Sequence, residues 1–163
     1  MGKEVFHTIR HLKRTFTREE WFEYCSSGGN IVTTFGKYRF NDHDVCLNPE
    51  REEITLKAGA YGYSAVIKYA HCGNGIWAFG MEYNLGTEGG SFGVSWADKA
   101  DTSTWNMGFD NERECKMFAW RYILTRIMPR TKDKPETARL CAMIEKKVKE
   151  YSRPQIVQLE LFG

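Results

Sequence analysis

Hydrophobic and polar positions change their period twice along the 163 residues of the chain. Over residues 4–13 an apolar side chain recurs every three or four positions, which predicts a first helix there. Thr17-Arg-Glu-Glu20 matches the capping box and predicts the start of a second helix, which Gly28-Gly29 would end. The N-terminal part of the chain is therefore predicted to be helical.

From residue 30 to residue 97 the period becomes two, and β-branched and aromatic residues are frequent. This pattern predicts short antiparallel strands separated by turn sequences. The two strongest strands cover residues 61–70 and 75–85 and are joined by the hairpin sequence His71-Cys72-Gly73-Asn74. The other predicted strands cover residues 31–35, 37–40, 45–47, 53–57 and 92–96.

A helical period returns at Asp110-Asn111-Glu112, a capping sequence that predicts a long helix ended by Pro129. Asp133-Lys-Pro-Glu136 predicts the start of a last helix. This order predicts an α+β fold, an antiparallel β-meander of about five strands with the helices packed on one face. We expect residues 1–153 to form one domain and residues 154–163 to follow as a separate peptide.

The composition fits a folded cytoplasmic domain. Hydrophobic residues make up 42% of the chain and aromatic residues 14%, yet no run approaches the ~20 apolar residues of a membrane span. The N-terminus has no apolar stretch of signal-peptide type. The five cysteines are scattered and form no Cys-x-x-Cys pair, so neither a disulfide framework nor a zinc site is predicted. We expect a cytoplasmic location and no membrane partner.

The last six residues follow the helix breaker Ser152-Arg153-Pro154 and read Gln158-Leu159-Glu160-Leu161-Phe162-Gly163. A terminal peptide with two leucines and a phenylalanine exposes apolar surface that requires a pocket. It resembles the pentapeptide Gln-Leu-x-Leu-Phe by which many bacterial proteins bind the replication sliding clamp. The resemblance implies that Gln158 makes polar contacts, and that Leu159, Leu161 and Phe162 fill adjoining apolar pockets of the clamp.

A second interpretation of the same tail stays open. Val157, Leu159 and Leu161 alternate with polar residues, which is also typical of a half-buried strand. In that case the tail would pair with the sheet of its own domain, and the leucines would belong to the core.

Net charge is only +2, but residues 113–134 contain seven basic and two acidic side chains. Such asymmetry is compatible with a face that binds a polyanion. From charge alone, a solvated helix surface is the simpler interpretation. The candidates for nucleic-acid contact are Arg113, Lys116, Arg121, Arg126 and Arg130.

Motifs for catalysis are scarce. There is no phosphate-binding loop and no nucleophile elbow. Asp42-His43-Asp44, together with Glu52 or Glu53, is the cluster that best fits a metal-dependent nuclease or hydrolase, although a polar turn between strands explains it without chemistry. The sequence assigns no catalytic residue, metal ligand or cofactor, and favours a binding protein over an enzyme.

His7 and His11 are spaced one helical turn apart. No glutamate lies between them in the metalloprotease arrangement, so we expect both to face solvent.

Aromatic residues follow three of the predicted strands. A row on an open sheet face would form a stacking platform for single-stranded nucleic acid, whereas a row beneath the helices would be core, which is the commoner arrangement. The rows are Tyr61, Tyr63 and Tyr69, then Trp77, Phe79 and Tyr83, then Phe92 and Trp96.

Tyr61-Gly-Tyr-Ser64, Gly108-Phe-Asp110, the helix that follows and the terminal Leu-Phe-Gly resemble a small domain of bacterial and phage-encoded proteins. That domain is associated with DNA-modification and partition-like genes on mobile elements, and the resemblance covers residues 61–163. It implies a mobile-element setting and supplies no catalytic residue.

Together, these features predict a small phage or mobile-element accessory protein that binds the sliding clamp and acts on DNA or on a replication or modification partner. The alternatives are a metal-dependent nuclease or hydrolase, and an inhibitor of a host defence enzyme that uses the basic helix as its contact surface.

Overall fold

The computed structural model describes residues 4–132 and 134–153. Two short 3-10 turns, Arg10–Leu12 and Met128–Arg130, accompany the regular elements. The α-helices are α1 (Arg18–Ser26), α2 (Glu112–Ile127) and α3 (Pro135–Ser152). The strands are β1 (His7–Ile9), β2 (Arg14–Phe16), β3 (Thr33–Phe35), β4 (Tyr38–Phe40), β5 (Glu50–Lys57), β6 (Tyr63–His71), β7 (Trp77–Leu85) and β8 (Gly89–Phe92).

Strands β5 to β8 form an antiparallel meander in sequence order, which confirms the predicted α+β class. The expected number of strands was wrong, because this largest sheet has four strands rather than five. The chain leaves the sheet after Phe92, where the Val94 carbonyl accepts a hydrogen bond from Cys46 (2.9 Å) and Trp96 donates one to the Asp44 carbonyl (2.7 Å). Strands β3 and β4 pair with each other in a separate hairpin.

Helices α2 and α3 pack on one face of the meander, as predicted. Alternate residues of β6 face them, from Tyr63 to Tyr69, and meet the fully buried Trp120 and Ile123 of α2. Six of the eight residues in the predicted aromatic rows belong to this core and form no open stacking platform; they are Tyr63, Tyr69, Trp77, Phe79, Tyr83 and Phe92. Of the other two, Trp96 is buried in a second cluster, and Tyr61 precedes β6 and is 67% exposed.

Gly80 lies in the middle of β7, away from any turn. A Cβ atom at this position would come within 2.6 Å of the Phe92 carbonyl oxygen and 2.9 Å of the Val94 nitrogen. The glycine therefore permits the segment after β8 to cross closely over β7.

The predicted helix over residues 4–13 is wrong, because β1, a 3-10 turn and β2 form a hairpin there. Lys13 turns the chain with a φ of 53°. Ile9 and Phe16 are buried against Trp21 of α1, whereas Leu12 is 41% exposed. The helical spacing of apolar residues thus did not correspond to a buried face.

The predicted starts of α1 and α2 are confirmed, whereas Asp133 of the third predicted cap lies outside the described residues and α3 begins at Pro135 without a side-chain cap from Lys134. Thr17 and Glu20 form the reciprocal capping box of α1, and the Asn111 side chain accepts a hydrogen bond from the Glu114 N–H (2.8 Å) to begin α2. None of the helices in the described residues combines the length and the apolar run needed to cross a bilayer. All five cysteines are free thiols, and four of them are buried.

Candidate functional site

The four residues of the predicted clamp-binding peptide, Gln158, Leu159, Leu161 and Phe162, lie outside the described residues, so the peptide stays a prediction. The described chain ends at Arg153, where Arg113 of α2 caps the end of α3. Arg113 Nε donates to the Tyr151 carbonyl (2.7 Å), and its Nη2 donates to the carbonyls of Glu150 (2.9 Å) and Arg153 (2.6 Å).

The basic residues proposed for nucleic-acid contact are spread around α2 and do not share one face. With 3.6 residues per turn, Arg113 and Arg121 are about 80° apart around the helix axis, and Arg121 and Arg126 about 140° apart. Arg126 donates to its neighbour Tyr122 (2.7 Å), and Arg130 pairs with Glu88 (3.4 Å). Contact with nucleic acid stays a prediction, and its exposed candidates are Arg121 and Arg126 on α2 and Arg130 after it.

Lys116 forms ion pairs within the fold: its ammonium group lies 3.2 Å from Glu52 of β5 and 3.2 Å from Glu112. Glu52 also accepts hydrogen bonds from Trp120 (3.3 Å) and from the Tyr151 hydroxyl. Glu52, Lys116, Trp120 and Tyr151 are here called the Glu52 network. It joins the sheet to α2 and to the last turn of α3.

The hydrogen bonds of the Glu52 network favour the charged forms of Glu52 and Lys116. Burial by itself would raise the pKa of Glu52, but the hydrogen bonds from Tyr151, Trp120 and Lys116 outweigh it and lower that pKa. Burial would likewise lower the pKa of Lys116, yet its bonds to Glu52, Tyr69 and Glu112 raise it. Lys116 is thus held as a cation within the fold, where its charge is already neutralised.

Asp42 and His43 lie close together, with His43 Nε2 3.8 Å from Asp42 Oδ1, but Asp44 does not join them. The Asp42 carboxylate accepts a hydrogen bond from Tyr24 (3.0 Å), the His43 ring is 62% exposed, and Asp44 is turned into the protein. Within the described parts of the chain, no three His, Cys, Asp or Glu side chains come close enough to bind one metal ion. The nuclease or hydrolase alternative therefore has no convergent ligand set among these residues.

Asp44 instead connects the N-terminal hairpin to the rest of the fold. Its Oδ2 accepts from the Arg10 backbone N–H (3.0 Å), and its Oδ1 accepts from the His11 N–H (3.1 Å) and from His11 Nδ1 (2.6 Å). The other ring nitrogen of His11 lies 2.9 Å from Thr33 Oγ1. Arg10, His11, Thr33 and Asp44 are here called the Asp44 network.

A carboxylate, an imidazole and a hydroxyl in one hydrogen-bonded series are also the parts of a nucleophilic catalytic triad. In a triad the imidazole passes a proton to the leaving group of the substrate, so it must be reachable. The His11 side chain has no exposed surface and is surrounded by the rings of Phe35, Phe40 and Trp96. We conclude that the Asp44 network holds the hairpin in place rather than performing chemistry.

Neither histidine of the N-terminal segment faces solvent freely, so that expectation was wrong. His7 stacks on Trp21 at 3.8 Å between ring centroids, and its Nε2 bonds to the Asp42 carbonyl (2.8 Å). The pairing of His11 with Asp44 spans 33 positions of sequence, and no local pattern reveals it. The residue type at position 44 is compatible with its backbone: the φ of Asp44 is 63°, in the left-handed region that aspartate tolerates better than most residues.

Comparison of the chain with protein-family models, with curated proteins and with solved structures found no match. Its function is therefore inferred from its own residues and their geometry.

Proposed function

We propose that this protein is a small phage or mobile-element accessory protein that docks on the bacterial replication sliding clamp. Gln158, Leu159, Leu161 and Phe162 would anchor it, and the folded body would act on DNA or on a replication or modification partner held at the clamp. The observation that carries the proposal is the match of the tail to all four defining positions of Gln-Leu-x-Leu-Phe.

The contacts of α3 support the proposal that the folded body ends before the tail. Ile144 is fully buried in the main core, Tyr151 bonds to Glu52 of the sheet, and Arg113 already satisfies the terminal carbonyls of α3. Three carbonyls at the end of α3 thus have a partner among the described residues. Gln158 follows Arg153 by five residues, which gives the peptide a reach of at most about 18 Å from the body.

Binding through such a short peptide is expected to be weak by itself. It buries far less than the roughly 800 Å² per partner of a standard interface, and ordering the peptide costs free energy. A micromolar dissociation constant corresponds to about −8 kcal/mol. Weak docking still concentrates the body near replicating DNA, since tethering raises its local concentration.

The test is calorimetric titration of purified bacterial sliding clamp with the full chain and with a Leu161→Ala, Phe162→Ala variant. Each of these side chains is worth about 1.5–3 kcal/mol when fully buried, so the double variant should lose at least about 100-fold in affinity. The matched control is Ile156→Ala, Val157→Ala, which removes apolar groups of the same tail outside the motif and should bind like the parent.

Two outcomes would refute the proposal: no binding of the full chain, or equal binding of parent and Leu161→Ala, Phe162→Ala. The strand interpretation predicts something different. If the tail pairs with the sheet, Val157→Ala and Leu161→Ala should each lower the melting temperature while clamp binding is absent.

The DNA part of the proposal is tested separately on Arg121 and Arg126, because Arg113 and Lys116 are used within the fold. Fluorescence anisotropy with labelled single- and double-stranded DNA would compare the parent with Arg121→Glu, Arg126→Glu. Because the two arginines lie on different sides of α2, loss of a phosphate contact at either one should weaken binding and reduce its salt dependence by about one unit of slope. Equal binding by both proteins would rule out α2 as the DNA contact.

A further inference from the structure

A groove of about 650 Å³ lies between the N-terminal segment and α1. It is formed by residues that neither the clamp peptide nor the basic helix uses, so the inference drawn from it goes beyond clamp docking. The walls of the groove are Glu4, Val5 and Phe6 on one side and the first turns of α1 on the other. These residues are here called the α1 groove.

Apolar side chains are exposed along the α1 groove without serving the core. Val5 and Phe6 of the wall are 57% and 53% exposed. Phe22 does not line the groove but borders it: its side chain is 52% exposed, and its ring meets that of Phe6 edge to face at 5.9 Å. Trp21 of α1 is buried in the protein, whereas the adjacent Phe22 is exposed. Exposed apolar side chains that touch one another and are rimmed by polar groups mark an interaction surface.

The backbone around the α1 groove is already ordered. The Phe6 N–H donates to the Phe16 carbonyl (2.8 Å), which extends the hairpin ladder by one bond. The capping box of Thr17 and Glu20 fixes the start of α1. A ligand would therefore meet a preformed surface, which reduces the ordering cost of binding.

The charge of the rim decides which ligand fits. Among the described residues of the wall, Glu4, Glu19 and Glu23 are exposed carboxylates and Arg18 is the cation. The Arg18 guanidinium lies 5.4 Å from the ring centroid of Phe22. A negative rim repels nucleic acid and anionic lipid. It also disfavours residues 154–163 of the chain itself, which include one acidic and no basic side chain.

We propose that the α1 groove binds a positively charged segment of a partner protein, which places apolar side chains against Phe6 and Phe22 and basic side chains against the glutamates. Apolar anchors supply most of the affinity of such a contact, and complementary charge supplies its association rate and specificity. With the clamp peptide at the other end of the chain, the protein would then connect two partners.

The probe is a short fluorescent peptide of lysine and leucine with its leucines on one helical face, titrated into the full chain without clamp. Three peptides are compared: this one, its glutamate-for-lysine version and its serine-for-leucine version. Only the first is expected to bind. Phe22→Ala should weaken its binding about tenfold or more, and Glu19→Lys, Glu23→Lys should do the same through charge. The matched control is Glu53→Lys, Glu145→Lys, which changes the net charge equally at exposed sites elsewhere.

Amide chemical shifts of Val5, Phe6 and Phe22 should move on addition of the peptide. Three results would overturn the proposal: absent binding, binding that Phe22→Ala leaves unchanged, or equal weakening in the Glu53→Lys, Glu145→Lys control. Sedimentation of the chain alone tests the other occupant, because a dimer dissolved by Phe22→Ala would show that a second copy covers the groove.

Discussion

Replacement of Asp44 by asparagine should destabilise the protein strongly, although the change removes little more than a charge. The Asp44 carboxylate is 4% exposed and accepts hydrogen bonds from two backbone N–H groups and from His11 Nδ1. Asparagine fills the same space and tolerates the φ of 63°. The substitution therefore isolates the acceptor chemistry from packing and backbone strain.

The expected loss follows from the donors left without an acceptor. An asparagine amide has one oxygen, so its NH₂ group must face at least one donor, either the Arg10 N–H or the His11 side. A buried donor left unsatisfied costs about 1–3 kcal/mol, and the nearby guanidinium of Arg10, 3.5 Å from the carboxylate, loses its counter-charge. We expect a loss of about 2–4 kcal/mol in the free energy of unfolding.

The assay is urea unfolding at neutral pH, followed by tryptophan fluorescence. A lower midpoint with an unchanged slope would report a change in stability alone. The matched control is Asp42→Asn, the same substitution two positions away in the same turn, where the carboxylate accepts a bond from the Tyr24 hydroxyl (3.0 Å). That change should cost about 1 kcal/mol or less, since the asparagine oxygen can still accept this bond.

A double-mutant cycle of Asp44→Asn with His11→Ala measures the coupling between the two side chains directly. Residues that share one hydrogen-bond network are expected to couple by about 0.5–3 kcal/mol. If Asp44→Asn unfolds at the same urea concentration as Asp42→Asn, or the cycle shows no coupling, then the Asp44 network does not hold the hairpin and our interpretation is refuted.

Three further substitutions test other parts of the fold by the same unfolding assay. Glu52→Gln should cost about 1–3 kcal/mol, because it removes one of the two carboxylates paired with Lys116 and weakens the hydrogen bonds from Tyr151 and Trp120. The folded-state pKa of Glu52 is lowered, so this contribution is present above the ordinary carboxyl range and is lost as the pH falls through the lowered pKa; parent and variant should therefore converge in acid. Gly80→Ala should cost about 1–3 kcal/mol, since its Cβ would meet the backbone of the crossing segment. At Gly75 a Cβ atom would meet open space, so Gly75→Ala should lower stability only because alanine disfavours the positive φ at that position. Thr17→Ala should cost about 1 kcal/mol through the lost cap, and Thr17→Ser should restore most of it.

Elements set by near neighbours in sequence were predictable. The caps of α1 and α2 depend on contacts three residues apart, and the central strands follow from alternation within nine residues each. The buried role of Tyr63 and Tyr69 also agrees with the general tendency of large rings to lie in the core. In these places local preference and tertiary packing favour the same structure.

The N-terminal segment shows the opposite case. Its apolar spacing suited a helix, but the pairing of His7 with Phe16 and of Ile9 with Arg14 made a hairpin, because cross-strand bonds and the burial of Ile9 outweigh a short helical pattern. The basic residues of α2 show it again. Arg113 and Lys116 read as surface charges in the sequence, yet both bond to groups far along the chain.

The sequence by itself determined the class of the fold, the starts of α1 and α2 and the central meander, since each depends on a contiguous run of residues; the clamp-binding tail stays a prediction. Only the tertiary structure decided that Asp44 meets His11, that Glu52 meets Lys116, and that Phe22 stays outside. The physical reason is that the role of a polar or apolar side chain depends on the groups that surround it in the fold. Those groups come from distant segments: His11 and Asp44 are 33 residues apart, and Glu52 and Trp120 are 68 residues apart.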